Sequence, residues 1–189
     1  QGLTNATSTA SLVGGMIVGA ADISLSGDNI AGQKSKWTAL AGKTALQAVI
    51  IQIGLNDVRG RIGFNTATSA QVIADLQDLV DTVIADKPAG CKVYISQMTP
   101  CKLWLDSATN PSAAYAGWQA VNEAIAGSGA TPITGVDGRI TSHVAALNDG
   151  SGNLLTIYDH NADGVHLSNE GRFIVAQAWR TQLEADGLV

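Results

Sequence analysis

Asp163-Gly164-Val165-His166 places an acid and an imidazole three residues apart in a glycine-containing turn. That offset lets the two side chains meet. A carboxylate on one ring nitrogen fixes the tautomer and stabilises the imidazolium, so the other nitrogen can serve as a general base. The same residues also read as an Asx-type turn ahead of a helix, with the histidine incidental. Two further histidines compete. His160 follows Asp159 in the same loop, and His143 lies in a helical stretch after Ser142, where packing or surface placement is the expectation. The Asp-x-x-His spacing and the helix-capping residue Ser168 favour His166.

Two other stretches carry groups that complement a base. Gly54-Leu55-Asn56-Asp57 follows an apolar run. An asparagine amide at that position can donate to a developing oxyanion. Ser26-Gly27-Asp28-Asn29 follows another run, and a glycine there leaves its backbone N–H open to a substrate oxygen. Taken singly, each also reads as an ordinary strand-to-helix turn rich in Gly, Asn and Asp.

The elements around these loops alternate. Residues 16–25 form a short, mostly apolar run of the kind buried on both faces of a sheet. A helix is expected over 34–43, carrying Trp37 and Leu40. Residues 48–53 are β-branched and nearly all apolar, which predicts a strand. A helix capped by Thr68 or Ser69 follows, with Val72, Leu76, Leu79, Val80 and Val83 on one stripe; Pro88-Ala89-Gly90 ends it. Residues 93–98 predict a strand. Asn110-Pro111 opens a helix that runs to Gly127. A short last strand over 131–136, a helix near 140–147 and a helix from Ser168 to about Glu184 complete the series. Strands separated by helical crossovers imply a parallel sheet with helices on both faces: one three-layer α/β/α domain spanning 1–189. Ligands of such sheets bind beyond the carboxyl ends of the strands, where all three loops fall.

In this order the three loops resemble the SGNH hydrolases, the GDSL-like esterases, lipases and thioesterases, which share a flavodoxin-like fold. Ser26-Gly27-Asp28-Asn29 is similar to the family's second block, Gly54-Leu55-Asn56-Asp57 to its third and Asp163-Gly164-Val165-His166 to its fourth. Asn56-Asp57-Val58-Arg59-Gly60 is especially similar to the bacterial thioesterase/lysophospholipase branch. The resemblance covers about residues 16–185. It implies acyl-ester hydrolysis by a Ser-His-Asp mechanism without a cofactor, short-chain esters or acetylated saccharides being favoured. Asp163 and His166 would be catalytic, Gly27 and Asn56 would form the oxyanion hole, and Gly54 and Asp57 would support it.

The first block, a nucleophilic serine in Gly-Asp-Ser, has no match in the chain. Ser24 and Ser26 are weak substitutes, since both lie in or beside the second block. The expectation is that the family's first strand, central in the sheet, and its serine come from an upstream segment or a second chain. Without that strand its neighbours would leave backbone groups unpaired. A non-catalytic module of the same fold stands as the alternative from another class, and an acyltransferase, thioesterase or lysophospholipase as near neighbours.

Composition narrows the partners. The chain is acidic, with 16 Asp+Glu against 11 Lys+Arg, and has no basic cluster interleaved with aromatics, which argues against nucleic acid. No apolar run approaches the roughly 20 residues of a membrane span, and no signal peptide opens the sequence. Secreted, periplasmic and cytoplasmic placement all stay open. No spacing suggests a metal site. Cys91 and Cys101 flank the 93–98 strand, too far apart to bridge if the strand forms. Asn5 heads a glycosylation sequon that reads best as chance. Trp104, Trp118 and Tyr115 are candidate pocket aromatics, with core packing expected for Trp118.

Overall fold

A computed structural model of the protein describes residues 28–189, together with two short strands, Thr7–Ser8 (β1) and Ala20–Ala21 (β2), which pair antiparallel. Ser24, Ser26 and Gly27, and the run over 16–25 apart from β2, lie outside the described residues. Helix α1 (Ile30–Ala39) starts at Asn29, whose side chain accepts the Gly32 N–H at 2.8 Å. That cap sets the helix four residues ahead of the 34–43 expectation, and the chain turns extended at Leu40. Strand β3 (Ala48–Ile51) leads into a single turn, α2 (Leu55–Asp57), continued by a π turn over Val58–Ile62.

Helix α3 (Ser69–Asp86) opens on a full capping box, in which Thr68 and Gln71 satisfy each other's backbone N–H. Its stripe of Val72, Leu76, Leu79, Val80 and Val83 is buried, worth about 1.5–3 kcal/mol for each large side chain. Strand β4 (Lys92–Ser96), a short helix α4 (Lys102–Leu105) and helix α5 (Pro111–Ala126) follow, the last capped by Asn110 and closed by Gly127 at φ 83°. Strand β5 (Gly138–Ile140), helix α6 (Ser142–Leu147) and helix α7 (Asn169–Ala185), capped by Ser168, complete the chain.

The sheet is parallel in the order β3-β4-β5, with Val49 opposite Val93 and Ile95 opposite Arg139. Alternate side chains go to opposite faces. Val49, Ile51, Val93 and Ile95 join the core under α1, α3 and α5. Ala48, Ile50, Tyr94 and Ile140 pack against α7 through Ala178 and Leu183. The result is a three-layer α/β/α arrangement.

The last strand is not where the apolar run 131–136 placed it. Pro132 has no N–H to give a ladder, and Gly135 turns at φ 79°. Ile133 is buried as part of a loop, and the Arg139 guanidinium donates to its carbonyl and to that of Ile125. Pairing starts two residues later, after Asp137 exchanges bonds with Val93. The Asp137 N–H meets the Val93 carbonyl at 2.7 Å, and its carboxylate accepts the Val93 N–H at 2.8 Å. The Val93 N–H, with help from the Lys92 ammonium, draws the Asp137 carboxyl below its usual range.

Among the described residues β3 pairs only with β4. Ala48, Val49 and Ile50 stay half-buried despite their apolar side chains, whereas Val93 to Ser96 of β4 are fully buried. Among the described residues no strand pairs with the other edge of β3.

Candidate functional site

The Asp163–His166 loop is a tight reversal. The His160 N–H donates to the His166 carbonyl at 2.7 Å, and the Ser168 N–H to the Tyr158 carbonyl at 2.8 Å. Between them Asn161, Ala162 and Gly164 take left-handed backbone at φ 64°, 53° and 76°. Asp163 Oδ1 accepts the N–H groups of Val165 and His166 at 3.0 and 2.8 Å, while Oδ2 stands 2.7 Å from His166 Nδ1. The Asx turn and the acid–base pair are thus one structure: the same carboxylate shapes the turn with one oxygen and grips the ring with the other. Partial burial alone would raise the Asp163 carboxyl. The hydrogen bonds from the His166 backbone and ring and the Val165 backbone outweigh it and hold the group at about 2. The carboxylate is therefore ionised at every ordinary pH. His166 is 64% exposed, leaving Nε2 for proton transfer.

Neither rival histidine has this arrangement. The Asp159 carboxylate accepts the Gly164 N–H, at 3.0 Å to its nearer oxygen, so it braces the loop. His143 is buried, and its Nε2 donates to the Gln97 carbonyl at 2.9 Å; burial lowers its pKa.

Gly164 holds a position no other residue fits well. Its φ is 76°, and a Cβ there would sit 2.8 Å from Leu103 Cβ. Gly164→Ala is expected to lower stability by about 1–3 kcal/mol and to shift the Asp163–His166 pair. Thermal unfolding checks the first effect, and the Asp163-dependent pH profile of the His166 ring by NMR checks the second.

The Asn56 turn is anchored to α1. Gly54 supplies φ 117° at the end of β3, with Met98 Sδ 3.5 Å from where a Cβ would be. The Asn56 amide then donates to the Asp28 carbonyl at 2.7 Å. An amide nitrogen carries two hydrogens, so one remains for a ligand. This bond ties the Asn56 loop to the residue next to Gly27. Asp57 is 2% exposed and accepts the Ile30 N–H at 2.9 Å, fastening the start of α1 to the turn. Burial raises its pKa against the pull of that N–H and of Arg61.

The loop after β4 joins the two loops, and Asn122 and Leu103, which sequence patterning did not single out, are part of the link. Buried Asn122 of α5 accepts the Met98 N–H at 2.8 Å and donates to the Met98 carbonyl at 3.0 Å. One turn earlier, Trp118 Nε1 donates to the Thr99 carbonyl at 3.0 Å. Thus clamped, the loop delivers α4 between the site loops: Leu103 lies against Gly164, and the Trp104 ring lies under the Arg59 guanidinium at 4.8 Å. Trp118 is buried and stacked on Tyr115, which makes both part of the α5 packing, while Trp104 stays half-exposed. The signal for Asn122 is its place on the apolar stripe of α5, where a buried amide must find partners.

Among the described residues no group of three His, Cys, Asp or Glu side chains is placed to hold a metal ion, and no helix is long and apolar enough to cross a membrane. Cys91 and Cys101 are unbridged and buried.

No family model and no curated protein sequence matches the chain. Solved structures do. A GDSL-like lipase from Bacteroides thetaiotaomicron superposes with a TM-score of 0.62 at 19% identity, covering 85% of this chain and 73% of its own. A candidate acylhydrolase from Bacteroides fragilis gives 0.62 at 17% identity, over 85% and 72%. A candidate platelet activating factor from Streptococcus pneumoniae gives 0.60 at 18%, over 83% and 69%. The chain has the SGNH/GDSL-like hydrolase fold.

Proposed function

We propose that this chain forms most of a serine-type acyl-ester hydrolase, acting on short-chain esters or acetylated saccharides. The observation that carries the reading is the 2.7 Å contact between Asp163 Oδ2 and His166 Nδ1 in a loop beyond the sheet. In this mechanism a serine attacks the acyl carbon and His166 Nε2 takes its proton. Asp163 holds the imidazole and stabilises the cation that forms. The free Asn56 N–H and the Gly27 N–H receive the oxyanion; Gly54 sets the turn and Asp57 braces it. No cofactor enters the reaction. The nucleophile arrives on a strand seated along the edge of β3 that no described residue pairs with, from an upstream segment or a second chain. That strand would pair the backbone groups of this edge and cover Ala48, Val49 and Ile50.

The test is hydrolysis of p-nitrophenyl acetate by the full-length protein, combined with fluorophosphonate labelling and peptide mapping. The expected result is a labelled serine in a Gly-Asp-Ser segment, with labelling and turnover both lost in His166→Ala. Undiminished activity in His166→Ala would overturn the assignment.

A further inference from the structure

Arg59 stands out among the cations of the chain. Arg61, two residues on, is taken up by Asp57 and Asp75, and Lys102 by Asp106. Among the described residues Arg59 forms no ion pair with any carboxylate, although the chain as a whole carries a formal charge of −5. It is nevertheless held in place. Its guanidinium lies over the Trp104 ring at 4.8 Å. Nε and Nη2 both donate to Ser107 Oγ, at 3.3 and 3.0 Å. That hydroxyl spends its own hydrogen on the Trp104 carbonyl at 2.6 Å, so it can only accept from Arg59.

This accounting leaves one edge of the guanidinium open. Nε–H and one Nη2–H go to Ser107, and the Nη1 hydrogens and the second Nη2–H remain. Those N–H groups form the paired edge that matches the two oxygens of a carboxylate or phosphate. A guanidinium already held over an indole and bonded to Ser107 has little conformational freedom left to lose on binding. The position also fits a ligand. Arg59 lies three residues past Asn56, and Trp104 is the neighbour of Leu103, which packs on Gly164 in the His166 loop.

We propose that Arg59, held over Trp104, binds an anionic group on the substrate, so that the preferred ester carries a carboxylate or phosphate. The assignment rests on the hydrolase reading for its catalytic arm only. The kinetic arm compares mono-p-nitrophenyl succinate with its neutral methyl ester, two substrates that differ in charge at the same length. Arg59→Gln is expected to lower the ratio of kcat/KM for the charged over the neutral ester by about tenfold, the size of a charge-assisted hydrogen bond. Arg59→Lys, which keeps the charge but not the fork, should fall between the two. A ratio unchanged within twofold in Arg59→Gln would overturn the subsite while leaving the hydrolase standing.

The binding arm titrates the protein with succinate and with inorganic phosphate at fixed ionic strength, followed by tryptophan fluorescence. Saturation with an Arg59→Gln-sensitive midpoint supports the subsite even if neither ester is turned over, and the tighter of the two probes identifies carboxylate or phosphate as the natural group. Absence of saturation with both probes in the wild-type protein would overturn it.

Discussion

Asp163→Asn is expected to cut kcat by about 10³–10⁴-fold while leaving the protein folded. The substitution preserves one half of what Asp163 does. An asparagine Oδ1 can still accept the Val165 and His166 N–H groups that shape the turn. The other half is reversed. The amide nitrogen would face His166 Nδ1, where Oδ2 now stands at 2.7 Å, and it offers a hydrogen where the ring needs an acceptor. The imidazole must then carry its proton on Nε2, the nitrogen that in the proposed mechanism accepts the serine proton. Circular dichroism should match the wild-type protein while turnover of p-nitrophenyl acetate collapses. Equal rates in the two proteins would remove Asp163 from the mechanism.

The pH dependence follows from the same contact. With its carboxyl held at about 2, Asp163 keeps its charge throughout the assay range, so in the proposed mechanism any acid limb of the rate falls to the base and not to Asp163. Only the neutral ring is a base, so the rate falls as the pH drops. A flat profile between about pH 5 and 8 would remove His166 as base. Stability carries a separate signature at lower pH. The folded value of Asp163 lies below its ordinary 3.8, so its contribution is complete above that value and is lost as the pH falls through about 2. With about a third of the side chain exposed, solvent weakens this contribution.

How much of this was legible in the sequence depended on how local each interaction is. The Asp163–His166 pair spans three residues and one turn fixes it, so the spacing makes the contact legible, although it fits an Asx turn with an incidental histidine equally well. The caps at Thr68, Asn110 and Ser168 were legible for the same reason: each side chain bonds a backbone N–H three residues on. The start of α1 is hidden because Asn29 belongs in sequence to the loop signature Ser26-Gly27-Asp28-Asn29, although it is the cap. The misplaced last strand shows the limit of apolar patterning. Ile133 and Val136 do reach the core, but from a loop, while the paired segment is Gly138-Arg139-Ile140, whose middle residue is charged. Arg139 is held there by donating to the carbonyls of Ile125 at the end of α5 and of Ile133, contacts that apolar patterning does not register. The bond from Asn56 to the Asp28 carbonyl spans 28 residues, and only the fold brings its ends together.

Asn122 is the strongest case of a non-local contact, and Asn122→Ala is expected to destabilise the protein by about 3 kcal/mol. Both ends of its amide are committed to one residue, accepting the Met98 N–H and donating to the Met98 carbonyl. Met98 is itself buried, so no water replaces the lost partners. Each buried backbone group left unpaired costs about 1–3 kcal/mol, and the two together bring the loss to a fall in Tm of roughly 10 °C for a chain of this size. Asn122→Leu separates this cause from a cavity, because it refills the volume but offers no hydrogen bonds. It should be nearly as destabilised as the alanine variant. Glu123→Ala, on the exposed side of α5, should change stability by less than about 0.5 kcal/mol. Calorimetry on the three variants decides the matter, and a leucine variant as stable as wild type would show that the amide is dispensable. The consequence extends to the site. Met98 begins the loop that Trp118 also grips at Thr99, and that loop carries α4, with Leu103 on Gly164 and Trp104 under Arg59. Loosening it withdraws the wall shared by the Asn56 and His166 loops. Asn122→Ala should therefore lose turnover at temperatures where most of the protein is still folded.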